Sequence, residues 1–135
     1  LFRSGLYADA FEELARRSVP GLSRIHRTLK SEGSFLPAGR YWRGNDPEWD
    51  VVALSEDGGK VLLGEVKWSE KPFTGREIER AAKSLLAKRT PKGKTFEGKE
   101  TVRAVFAPSL TASARKGKYG AHVVEAKDII GGIGE

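Results

Sequence analysis

Three ionisable residues have the types and spacing for chemistry. Glu65 and Lys67 stand two positions apart in LLGEVKW (62–68), and Asp50 lies upstream in PEWDVVAL (47–54). Alternate side chains of a strand share a face, so Leu63, Glu65 and Lys67 should point one way and Leu62, Gly64, Val66 and Trp68 the other. Charges in an otherwise apolar strand need partners, because burying one alone costs several kcal/mol. For a lone Glu-x-Lys the simplest partner is the other residue, in a structural ion pair. Asp50 changes that reading. Asp57-Gly58-Gly59 is good hairpin chemistry, and antiparallel pairing about a turn centred there sets Asp50 opposite the region of Glu65 to Lys67. Two carboxylates and one ammonium then meet on neighbouring strands. Close carboxylates repel, and Mg²⁺ (or Mn²⁺) is the usual means of keeping both ionised. Lysine beside such an ion can position or deprotonate a water while the metal stabilises charge growing on a phosphate. That chemistry is phosphodiester hydrolysis.

The elements that must position this set follow from periodicity. Tyr7, Ala10, Phe11 and Leu14 recur at helical spacing, as do Leu22, Ile25, His26 and Leu29. With Pro20 and Gly21 between them, two helices are expected, over 6–17 and 20–31, the second stopped at Gly33. The stretch 35–42 is extended in character, and 48–54 with 60–68 reads as a β-hairpin. Thr74 can cap a helix whose apolar stripe is Ile78, Ala81, Ala82, Leu85 and Leu86, ending before Pro91. PKGKTFEGK is a loop. A strand over 101–107, a loop or short helix, a short strand over 121–124 and a helix over 126–130 complete the order. The expected class is α/β, a mixed central sheet flanked by helices with an αβββαβ core, in a single domain spanning 1–135.

Composition bounds the partners. Among 135 residues there is no Cys and no Met, and Lys plus Arg number 24 for a net charge of +6. The absence of Cys excludes disulfides and thiolate chemistry, so any metal must sit on carboxylates or on His26 and His122. Positive charge suits an acidic partner, most simply DNA. No apolar run approaches the roughly 18–20 residues of a membrane span, so a soluble, cytoplasmic domain is expected. Starting at Leu1 with no Met, the chain reads as a piece of a longer polypeptide. The scarcity of thermolabile residues resembles a heat-adapted, thermophile composition.

The spacing Asp50…Glu65-x-Lys67 on a hairpin, with a helix ahead and an amphipathic helix and strand behind, resembles the PD-(D/E)XK nuclease superfamily, the restriction-endonuclease-like fold. Within it, AFEELARR (10–17), GRYWRGNDPEWDVVAL (39–54) and LLGEVKW look closest to DUF234, the C-terminal domain of archaeal P-loop ATPases, akin to archaeal Holliday junction resolvases. The resemblance covers about residues 5–107. It implies a Mg²⁺-dependent endonuclease in which Asp50, Glu65 and the Val66 carbonyl hold the metal, Lys67 acts on the water, and a first-helix glutamate assists. Periodicity does not choose between Glu12 and Glu13 for that last role; the resemblance selects Glu12. Trp49 stands where the superfamily has Pro directly before Asp. An N-terminal ATPase domain and a homodimer are implied partners.

Arg40, Arg43, Arg76, Arg80, Lys83, Arg115 and Lys116 are the candidates for holding a nucleic-acid backbone, each also readable as an ordinary solvated charge. Trp42, Trp49 and Trp68 surround the site in sequence, as packing or as surfaces for base stacking. Gly93-Lys94-Thr95 is rejected as a phosphate loop, because Lys88 stands where its first glycine belongs and helix, not strand, precedes it. His26 and His122 are read as structural. The competing function is a catalytically inactive nuclease-like module that binds DNA or protein and keeps the charged cluster as an ion-pair network.

Overall fold

In the computed structural model, residues 2–135 are described, with side chains from residue 5 onward. The order is α1 (Phe2–Ile25), a 3₁₀ turn (Leu29–Glu32), β1 (Gly39–Tyr41), β2 (Trp49–Leu54), β3 (Lys60–Val66), α2 (Gly75–Ala87), β4 (Glu100–Phe106), α3 (Ala112–Lys116), β5 (His122–Val124) and α4 (Ala126–Ile133). Five strands form one sheet in the order β1-β2-β3-β4-β5. β1, β2 and β3 pair antiparallel, whereas β4 and β5 add in parallel. The expected mixed sheet flanked by helices is therefore the observed architecture.

The hairpin register agrees with the turn-centred expectation. Val51 faces Gly64, Val52 faces Leu63 and Leu54 faces Val61, which leaves Asp50 and Glu65 as the next pair outward. The two faces also divide as the alternation requires. Val51, Ala53, Leu62, Val66 and Trp68 pack with Phe11, Ala15, Val19 and Leu22 of α1, while Val61, Leu63 and Val105 pack with Leu85 of α2. α2 opens on a capping box in which the Thr74 side chain accepts from Glu77 N and the Glu77 carboxylate accepts from Thr74 N.

The first helix departs from expectation. In place of two helices broken at Pro20-Gly21, α1 runs unbroken from Phe2 to Ile25 with Pro20 inside it, and the second predicted helix shortens to the 3₁₀ turn. Proline in a helix interior loses one main-chain hydrogen bond and costs about 3 kcal/mol. Tertiary packing offsets that cost: α4 lies directly on Gly21, so closely that a Cβ there would sit 1.8 Å from the Gly132 carbonyl oxygen. His26, buried at 6% exposure, ends the helix by accepting on Nδ1 from the N–H groups of Thr28 and Leu29. The predicted extended stretch 35–42 contributes only the three residues of β1 and a bridge from Phe35 to Ser55.

Gly21→Ala should therefore force α1 and α4 apart and destabilise the domain by about 1–3 kcal/mol, the usual cost of overpacking a close contact. Urea denaturation checks this as a lowered midpoint; an unchanged midpoint would mean that α4 is not held against α1 in solution.

Candidate functional site

The hairpin ends where Asp50 and Glu65 meet. One carboxylate oxygen of Asp50 (Oδ2) accepts from the Val66 main-chain N–H at 2.8 Å, which pins the side chain across the strand end. Glu65 lies beside Asp50, the next pair outward in the hairpin. Burial, and then this neighbouring carboxylate, push the Glu65 carboxyl above its ordinary value, with Lys88 acting in the opposite direction. Asp50 and Glu65 are thus brought together, as the spacing of the sequence requires.

Glu12 approaches from α1. Its carboxyl is raised by burial and by the nearby Asp50 charge, while Arg16 opposes that rise. Arg16 bonds Glu12 at 3.5 Å, Glu13 at 3.2 Å and the Asp50 carbonyl at 3.1 Å, so one guanidinium ties α1 to β2. Glu13 points outward, 59% exposed against 27% for Glu12, and Glu12 is the one turned toward Asp50. The Arg16 contact holds Glu12 beside the pair and not within it. Among the described residues, no three His, Asp or Glu side chains converge on a common metal-sized point.

Lys67 lies just past the end of β3. Its N–H donates to the Phe106 carbonyl at 2.8 Å, and the half-buried residue has no carboxylate partner for its ammonium among the described residues. The lysine that neutralises Glu65 is instead Lys88, the C-terminal cap of α2, whose Nζ bonds Glu65 Oε1 and the Glu48 carbonyl. Lys88 also lies 4.5 Å from the centre of the Trp49 ring, and the Arg103 guanidinium sits 5.2 Å from it. Trp49 is fully buried, so its role is packing, as is that of Trp68 against Tyr7 and Phe11. Trp42 alone of the three is exposed, with Arg40 over its ring.

Lys88 escaped the sequence reading because it lies outside the hairpin. Its position at the end of an amphipathic helix that must cross the sheet was the available signal.

A divalent cation of the hard type takes oxygen donors. The two carboxylates and the Val66 carbonyl, which leaves β3 on the same edge as the N–H that holds Asp50, are a donor set of that kind. A positive charge stands at this spot in the form of the Lys88 ammonium, and the oxygen donors around it are of the type that a hard cation takes.

The other basic candidates separate. Arg43, Arg76, Arg80 and Lys116 are exposed, and Lys83 forms only a surface pair with Glu79. Arg115 is committed elsewhere: it bonds both oxygens of Glu125 at 2.8 and 2.9 Å and the Leu110 carbonyl at 3.0 Å. Glu125 is 6% exposed, and the Arg115 bond holds its carboxyl below the ordinary value. Arg115 therefore locks β5 and α4 onto the segment after β4.

Three comparisons with known proteins follow from this geometry. The model of the family DUF234, described as archaea bacterial proteins of unknown function, matches residues 4–84. Over 78 residues, 58% of the chain, the sequence is 31% identical to the uncharacterized protein MJECL04 of Methanocaldococcus jannaschii, and it spans 16% of that protein's length. Among solved structures it is similar to a repair endonuclease from Pyrococcus abyssi, with 24% identity and a TM-score of 0.39, over 77% of this chain and 43% of that one.

Two outcomes test the electrostatics. Lys88→Met leaves the paired carboxylates uncompensated and should raise the Glu65 carboxyl further. A raised carboxyl contributes stability that is present below the unfolded value of 4.5 and lost as pH rises through the folded one. The variant should therefore lose about 1–3 kcal/mol at pH near 7 and much less at pH near 4, measured by urea denaturation at both. Glu125 has the opposite sign: its lowered carboxyl contributes stability above 4.5 that is lost as pH falls through the folded value. Arg115→Met should lower stability at neutral pH and flatten the acid limb of the stability profile.

Proposed function

The chain belongs to the DUF234 family, and from that premise we propose that it is a divalent-metal-dependent endonuclease module that hydrolyses DNA phosphodiester bonds. The observation that carries this reading is the Asp50–Glu65 pair at the end of the hairpin, one carboxylate fixed by the Val66 N–H, with Lys67 following directly on the end of β3. Asp50, Glu65 and the Val66 carbonyl would hold Mg²⁺ or Mn²⁺, with Glu12 adjoining. Bound there, the ion supplies Lewis-acid stabilisation of charge developing on the phosphate. The chain's own residues do the rest. Arg16 and Lys88 set the positions of the acids, buried Trp49 walls the cluster from water on one side, and the uncommitted Lys67 ammonium orients the attacking water.

The resemblance to a domain of archaeal ATPases supports an N-terminal ATPase partner, and the far greater length of the M. jannaschii relative leaves room for one. No described helix is long and apolar enough to cross a membrane.

One observation favours a second reading. Lys88 already neutralises Glu65, so the cluster can persist as an ion-pair network in a module that binds DNA without cutting it.

Cleavage of linear, nicked and branched DNA under Mg²⁺ and Mn²⁺ decides between them. On the first reading, Lys67→Ala lowers the rate by about 10²–10⁴-fold, the usual worth of a positioned proton-handling group, and Asp50→Ala, which removes a metal ligand, abolishes metal-dependent cleavage. Activity surviving in either variant rejects the assigned site. DNA retained in a gel shift, insensitive to Glu65→Gln and never cleaved, supports the second.

A further inference from the structure

Toward the end of β4 opposite Glu65 lies a cleft of about 970 Å³, between the 3₁₀ turn and the segment 112–123, with the first half of β4 as its floor. That volume suits a single small ligand such as one or two nucleotides, since ligand sites span roughly 300–1,000 Å³. Three features define what it would hold.

The first is charge. Two carboxylates line the cleft, and both are already neutralised: Glu32 by Lys60 at 3.0 Å, with His122 Nε2 at 2.7 Å beside it, and Glu125 by Arg115. Of the five cations in the lining, Arg115 answers Glu125 and Arg103 turns its guanidinium to the Leu85 and Lys88 carbonyls, which leaves Arg27, Lys116 and Lys118, all exposed. None of them has a carboxylate partner among the described residues. The uncompensated charge of the cleft is positive.

The second is an open strand edge. β5 pairs only with Ala104, Val105 and Phe106, whereas β4 begins at Glu100. Glu100 N–H bonds Gly59 and the Phe106 carbonyl accepts from Lys67, so even-numbered residues of β4 turn their main chain to β3. Ala107 N–H bonds Val124, so odd-numbered residues turn the other way. The N–H and C=O of Thr101 and the N–H of Arg103 therefore open into the cleft without a ladder partner.

The third is a rim built to hold its shape. Tyr119 folds back so that its hydroxyl donates to the Ala114 carbonyl at 2.7 Å, and a Cβ on Gly117 would clash with the Tyr119 hydroxyl oxygen. This fold carries Lys116 and Lys118 to the rim and places an aromatic ring in the lining.

We propose that this cleft binds a single-stranded DNA segment: Arg27, Lys116 and Lys118 hold the phosphates, the free edge of β4 hydrogen-bonds a base, and Tyr119 offers it a surface to stack on. An unpaired base is required, because a duplex keeps its Watson–Crick edges occupied. An acidic peptide satisfies the charge but leaves the aromatic wall without a use. The proposal rests on the DNA reading above and assigns the strand beside the cut its own site. Arg103 connects the two, since its main chain lies in the floor of the cleft while its guanidinium bonds the carbonyls of Leu85 and Lys88.

The test is fluorescence anisotropy of a labelled oligothymidylate of roughly 12 nucleotides, within the usual footprint of single-strand clefts, in EDTA so that cleavage plays no part. The triple variant Arg27→Ala/Lys116→Ala/Lys118→Ala, altered only at exposed positions, should bind about ten-fold or more weakly, with a salt slope reduced by about 2. Asp50→Asn/Glu65→Gln should bind at least as well as the wild type, and an iodouracil-substituted oligonucleotide should photocrosslink to the segment 117–122. Wild-type binding that the triple variant retains would overturn the cleft assignment and leave the nuclease reading standing. No binding of any oligonucleotide, with a poly-glutamate peptide of equal length bound instead, would overturn both.

Discussion

Two like charges held side by side at the end of one hairpin are the constraint around which this domain is arranged. Asp50 and Glu65 cannot both be ionised at low cost while partly buried, and the surrounding elements each contribute part of the compensation. β3 offers the Val66 N–H to Asp50, α1 sends Arg16 to the Asp50 carbonyl and to Glu12, and the end of α2 sends Lys88 to Glu65. The same contacts fasten both helical layers to the strand end. Trp49 lies beneath Lys88 and Arg103, so the cation that answers Glu65 also helps cover the largest buried side chain.

The change of strand direction within the sheet separates two chemistries. The antiparallel half, β1 to β3, ends in an acidic cluster with cations drawn onto it. The parallel half, β4 and β5, ends early on one side, because β5 is three residues long and leaves the start of β4 bare. There the acids are the neutralised groups and the lysines stand free. A protein with a net charge of +6 thus keeps an acidic site, and the excess charge lies elsewhere on its surface.

Close packing explains where local propensity lost. Pro20-Gly21 carries every local sign of a helix break, yet α1 continues, because α4 seats on Gly21 with main chain nearly touching main chain. Arg115 shows the same lesson for charge. Its sequence neighbours make it look like part of a solvated basic loop, and the fold supplies Glu125 as a buried partner at bidentate distance.

What the amino-acid order settled unaided was whatever depends on period and on distance from a turn. The pairing of Asp50 with Glu65, the division of Leu62, Val66 and Trp68 from Leu63, and the Thr74 cap all follow from a two-residue alternation, a two-sided hairpin and a three-residue capping spacing. These are local geometries, and few conformations satisfy them. The unbroken α1, the turning of Glu12 toward Asp50, the partner of Glu65 and the bare edge of β4 required the tertiary structure. Each depends on groups far apart in sequence, such as Gly21 and Gly132 or Glu65 and Lys88, whose meeting is set by how helices cross the sheet. No short-range pattern encodes that crossing.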